Sequence, residues 1–156
     1  MKIQGMTIDG PAIETVVIPR GDKEIVFKAQ AILDYEDFYK MCPVPEAPEV
    51  LKPGGETYRN VEDKTFKEAV TVWASRKTDW MIIKSLAATD ALEWDTVVME
   101  DPETWGNWKE ELAQVFTDGE IATLINTVFD VCGLNQKKIE EATKRFLAGQ
   151  EAPQDE

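Results

Sequence analysis

The chain has no histidine, and only two of its 156 residues are cysteine. Without histidine it lacks the commonest general base and metal ligand, and every Ser-His or Cys-His nucleophile pair. Cys42 and Cys132 are far apart and fit neither a CxxC nor a zinc-ligand spacing. They read as two small apolar residues in a reducing compartment, not as a disulfide. Positive charge is also scarce: 17 Lys and Arg stand against 30 Asp and Glu, a formal net charge of -13. Nucleic acid is therefore not an expected partner, since binding a polyanion needs clustered Lys and Arg. No apolar run approaches the roughly 20 residues of a membrane span. The opening MKIQGMTIDG has no apolar signal segment, so a cytoplasmic protein is expected. P-loop, GxGxxG, GxSxG and calcium-loop patterns are all missing, and no cofactor or metal is expected.

What is present suffices for one ordinary domain with a core. Residues 12–19 (AIETVVIP) and 23–32 (KEIVFKAQAI) are rich in β-branched residues and flank an RGD turn, which predicts a hairpin. Ile25, Phe27 and Ala29 alternate onto one of its faces. Asp34 can cap a short helix over 35–41, ended by Pro43. Residues 1–42 thus form a β-containing front. Four prolines and two glycines mark 43–60 as a loop or linker and as the candidate boundary.

From Val61 the period becomes helical, and 61–149 reads as a helical domain of about four helices. The class is α+β, an N-terminal hairpin followed by helices. Asn60 is the candidate N-cap of the first and longest, over 61–88, with Phe66, Ala69, Trp73, Trp80, Ile83 and Ala87 as its face. A short strand is expected at 96–99. Asp101 with Pro102 starts the next helix, whose face is Trp105, Trp108, Leu112 and Val115. Thr117 and Glu120 form a capping box for a helix over 118–132, ended by Gly133. Asn135 caps the last, with Ile139, Ala142, Phe146 and Leu147 on its face. Residues 150–156 are expected to be a disordered acidic tail.

Four of the five tryptophans fall between Thr78 and Leu112, and ten carboxylates against one base lie between Thr89 and Glu120. The tryptophan spacings match the aliphatic period of the same helices, so core packing is the first reading. Many of the acids sit at helix starts, where the helix dipole favours them. A catalytic or metal-binding carboxylate pair has no spacing to support it. The edge of the Trp105/Trp108 helix and the apolar side of the last helix, with Ile139, Phe146 and Leu147, are the two candidate partner-binding surfaces.

Several segments together resemble tail assembly chaperones of long-tailed bacteriophages. They are EIVFKAQAILDYEDFYKMCPVPEAP, RKTDWMIIKSL, LEWDTVVMEDPETWGNWKEEL and FTDGEIATLINTVFDVCGLNQKKIEEATKRFLAGQ, which cover most of the chain. None is a catalytic motif. The resemblance implies a non-enzymatic protein of the host bacterial cytoplasm, absent from the mature virion. Its implied partners are the tape measure protein, which it keeps soluble, the major tail tube protein, and a frameshifted longer form of itself. Homo-oligomerisation stays open. The competing readings are another phage or prophage structural component, such as a minor tail or head-completion protein, and a small acidic metal-dependent enzyme.

Overall fold

The structure, a computed structural model, describes residues 1–151. In chain order it contains β1 (Lys2–Ile3), β2 (Met6–Thr7), β3 (Ile13–Arg20), β4 (Lys23–Gln30), α1 (Glu36–Met41), β5 (Glu49–Leu51), β6 (Thr57–Arg59) and α2 (Lys64–Leu86). A 3-10 turn (Pro102–Asn107) leads into α3 (Trp108–Ala113), then α4 (Asp118–Val131) and α5 (Gln136–Glu151). Each pair of neighbouring strands forms its own two-stranded antiparallel ribbon. The fold is mixed α+β, with strands leading and helices following, as the sequence indicates. The last helix runs through Gln150 and Glu151, past the expected start of the tail; the rest of that tail lies outside the described residues.

The chain forms two compact units, each built from separated segments. Of the described residues, one contains 1–32, 85–91 and 117–151; the other contains 33–84 and 92–116. The Pro/Gly-rich segment lies inside the second unit and is not a plain linker. Its strands β5 and β6 pair with Val50 opposite Tyr58. Gly54 and Gly55, both at positive φ, turn the chain between them. The Arg59 guanidinium donates to the Ala47 carbonyl at 2.9 Å, and the Asn60 N–H to the Pro48 carbonyl at 2.9 Å.

In the first unit, β3 and β4 meet through Gly21 and Asp22, with Gly21 at φ 61°. Val16 opposes Phe27 and Ile18 opposes Ile25. Ile18, Phe27 and Ala29 are buried, and α4 packs on both strands with Leu124, Val128 and Val131 buried on its own side. The Thr117 hydroxyl accepts from the Glu120 N–H while the Glu120 carboxylate accepts from the Thr117 N–H, the expected capping box. Arg20 reaches from the hairpin turn to Glu120 at 3.4 Å. On the outer edge of β4, the Thr89 hydroxyl bonds both the N–H and the carbonyl of Lys28, at 2.9 and 3.2 Å. One side chain thereby supplies what a third strand would.

The second unit is built around aromatic rings. Phe38 is fully buried, its ring 5.7 Å from Trp73, 5.9 Å from Trp80 and 6.1 Å from Trp105. These tilted spacings suit the ring quadrupoles. The expected Asn60 cap is corrected: Asn60 accepts from the Glu62 N–H in a turn, and the Asp63 carboxylate, at 2.9 Å from the Phe66 N–H, starts α2 instead. The expected single apolar face of α2 also fails. Ala69 and Ala87 are exposed, while Asp79–Ile83, Ser85 and Leu86 are buried around the whole circumference. A helix exposed at one end and enclosed at the other has no continuous stripe.

No strand forms at 96–99. The backbone there is held by side chains. Glu111 accepts from the N–H groups of Asp95 and Thr96 and from the Thr96 hydroxyl. The Thr104 hydroxyl bonds both the N–H and the carbonyl of Val98. Burial raises the Glu111 pKa, but the hydrogen bonds from Asp95, Thr96 and Val97 outweigh it and hold the carboxyl below the ordinary glutamate range. Folding lowers this pKa, so the stabilisation is complete above the unfolded value of about 4.3 and fades as pH falls through the lower folded value. Hydrogen exchange at Asp95 and Thr96 is therefore expected to accelerate in that acid window, in excess of the intrinsic pH dependence. Glu111→Gln should produce the same loosening at neutral pH. Unchanged protection in the variant would show that Glu111 does not hold the loop.

Candidate interaction surface

α5 starts where α4 is stopped. Gly133 takes φ 72°, its N–H donating to the Asp130 carbonyl at 3.1 Å, and the Leu134 N–H donates to the Phe129 carbonyl at 3.0 Å. These two hydrogen bonds close the helix end as a Schellman motif. The Asn135 side chain then faces both ways. Its amide donates to the Asp130 carboxylate at 2.9 Å, and its oxygen accepts from the Lys138 N–H at 3.3 Å, capping α5. Lys138 also pairs with Asp130. The hydrogen bond from the Lys138 ammonium, and after it the one from the Asn135 amide, hold the Asp130 carboxyl below its usual range.

Ile139, Ala142, Phe146 and Leu147 recur at the spacing of a single helix face. That face is uncovered: Ile139 is 48% exposed, Phe146 60% and Leu147 50%. Every residue from Glu140 to Gln150 is exposed. The sequence marks this face as apolar, and the structure leaves it open.

Trp105 and Trp108 do not form a second surface. Trp105 is 0% exposed, and its indole N–H donates to the Met99 carbonyl at 3.1 Å. Trp108 is buried, with its indole N–H on the Asp79 carboxylate at 2.8 Å. The expected anchor at the helix edge is thus corrected to core, because both polar handles are satisfied inside the unit. These two belong to one unit and Ile139, Phe146 and Leu147 to the other.

Among the exposed apolar side chains that the sequence does not single out are three on the hairpin, Ile13, Val17 and Val26. The signal was there, since the alternation that puts Phe27 inside puts Val26 outside. Among the described residues no three Asp, Glu or Cys side chains lie together as a metal site. No described helix is long and apolar enough to cross a membrane. Both cysteines are free, Cys42 buried and Cys132 half-buried. Comparison with protein-family models, curated proteins and solved structures finds no match for the chain.

Proposed function

We propose that this protein is a bacteriophage tail assembly chaperone that binds the tape measure protein in the host cytoplasm, keeps it soluble and performs no catalysis. The observation that carries the reading is the open apolar face of α5, Ile139, Phe146 and Leu147, on a chain of formal charge -13. A helix face of this kind receives an amphipathic helical segment of a partner by helix-to-helix packing. The acid excess keeps an otherwise insoluble complex dispersed. The resemblance of the four segments quoted above supplies the identity of the client.

The test is solubility rescue. The tape measure protein of the same genome is expressed alone, with the wild type, and with a Phe146→Asp, Leu147→Asp variant. Both positions are exposed, so the variant is expected to fold with an unchanged circular dichroism spectrum. The wild type should bring most of the client into the soluble fraction, and the variant should lose that effect. A client as insoluble with the wild type as without it removes the chaperone reading. Full rescue by the variant moves the contact away from α5.

A further inference from the structure

β3 is paired on one edge only. The Ala31 N–H donates to the Ala12 carbonyl at 2.8 Å. Hydrogen bonding alternates along an antiparallel ladder, so Glu14 with Ala29, Val16 with Phe27 and Ile18 with Ile25 are the bonded pairs. Lys28 confirms the phase, because it turns its N–H and carbonyl away from β3 to Thr89. Thr15, opposite Lys28, must turn its own groups outward on the other side. The outward positions of β3 are therefore Ile13, Thr15 and Val17. Their backbone groups have no strand partner among the described residues, and all three side chains are exposed.

The next outward positions on either side are Pro11 and Pro19. Neither carries an N–H, so the edge offers three donors bounded by a proline at each end. The series 11, 13, 15, 17, 19 is symmetric about Thr15. A two-fold axis through Thr15 would pair Ile13 with Val17 of a second copy and Thr15 with its counterpart. It would also set each proline opposite a proline, so that every open donor meets a carbonyl.

Charge points to the same occupant. Between Ile13 and Gln30 the acids Glu14, Asp22 and Glu24 are matched by the bases Arg20, Lys23 and Lys28. The chain's whole acid excess lies elsewhere, so two hairpins meet here without net repulsion. In this register Glu14 faces Val16 of the second copy, and the directly opposed threonines form a favourable cross-strand pair. Ile13, Val17 and Val26, on the face away from α4, would continue from one copy into the other.

We propose that β3 pairs antiparallel with β3 of a second copy through Ile13, Thr15 and Val17, joining two hairpins into a four-stranded sheet. The proposal is independent of the chaperone reading, because it is measured on the purified chain without a client. An edge of three donors bounded by prolines is expected to bury less than the roughly 1,200 Å² of stable complexes, so a weak dimer is expected, with a dissociation constant between about 10 µM and about 1 mM. Sedimentation equilibrium of the full chain, at concentrations spanning that range, should show a monomer–dimer equilibrium. Thr15→Pro removes the central donor, and Val17→Lys replaces the apolar pair of Val17 with the second copy's Ile13 by a charge against an apolar side chain. Each should weaken the dimer at least tenfold, while Phe146→Asp, Leu147→Asp leaves it intact. With Cys132→Ser as background, Thr15→Cys should form a disulfide dimer on mild oxidation, since opposed bonded residues lie about 5.5 Å apart at Cα. Ile13→Cys should not, because its counterpart is displaced by four residues. A wild type monomeric throughout the range overturns the proposal, as does a dimer that survives Val17→Lys. Cross-linking of Ile13→Cys as readily as Thr15→Cys overturns the register and with it the symmetric pairing.

Discussion

Trp105→Ala is expected to lose about 3–5 kcal/mol of stability, the range for deleting a fully buried large aromatic side chain. The ring is 0% exposed and lies 6.1 Å from Phe38, at the centre of the second unit. Its removal leaves a cavity beside the Phe38 ring and strips the Met99 carbonyl of its donor. Against a typical total of about 5–15 kcal/mol, that loss brings the unit close to unfolding. Urea denaturation followed by circular dichroism is the measurement. Phe146→Ala serves as the internal comparison: at 60% exposure it should shift stability by no more than about 0.5 kcal/mol. A Trp105→Ala protein as stable as the parent would mean the aromatic cluster is not what holds this unit together.

Val128→Asp should be at least as damaging in the other unit, by about 4 kcal/mol or more. Val128 is 0% exposed on the side of α4 that packs against β3 and β4. A carboxylate there has neither water nor a cation within the hairpin's buried face, which consists of Ile18, Phe27 and Ala29. The side chain either ionises at high cost or stays protonated, so the loss should shrink as pH is lowered. The check is denaturation at two pH values, neutral and near 5. A variant with parental stability at neutral pH would show that α4 can slide or rotate to expose the position.

The readable parts of the fold were those decided by chemistry a few residues long. The Thr117–Glu120 capping box, Pro102 after Asp101, Gly133 at a helix end and the Gly21–Asp22 turn all rest on local backbone requirements. The failures share the opposite property. Thr96–Met99 has strand-like composition, but its hydrogen bonds go to Glu111 and Thr104, and nothing in a local window announces a side chain as the partner. Asn60 and Asp63 are both good capping residues, and the turn made by Asn60 decides between them. The two units interleave along the chain, so no change of composition at 43–60 could reveal them. At the candidate surface, periodicity identified the apolar side of α5 and of the Trp105 helix equally well. It marks which side of a helix is apolar; only the fold says whether that side is covered.

α5 keeps its helical form with its apolar side uncovered, held at its start by Asn135, Lys138 and Asp130. Its order is established by folding, before any partner arrives. Fixing a flexible segment on binding costs about 1–2 kcal/mol for each residue's backbone. A partner that docks on Ile139, Phe146 and Leu147 therefore meets a preorganised rod, about 24 Å long at 1.5 Å per residue for 16 residues. Whatever conformational entropy the encounter loses falls mainly on the partner's side, so a chain that is still unfolded when it arrives could use this helix as a template for its own.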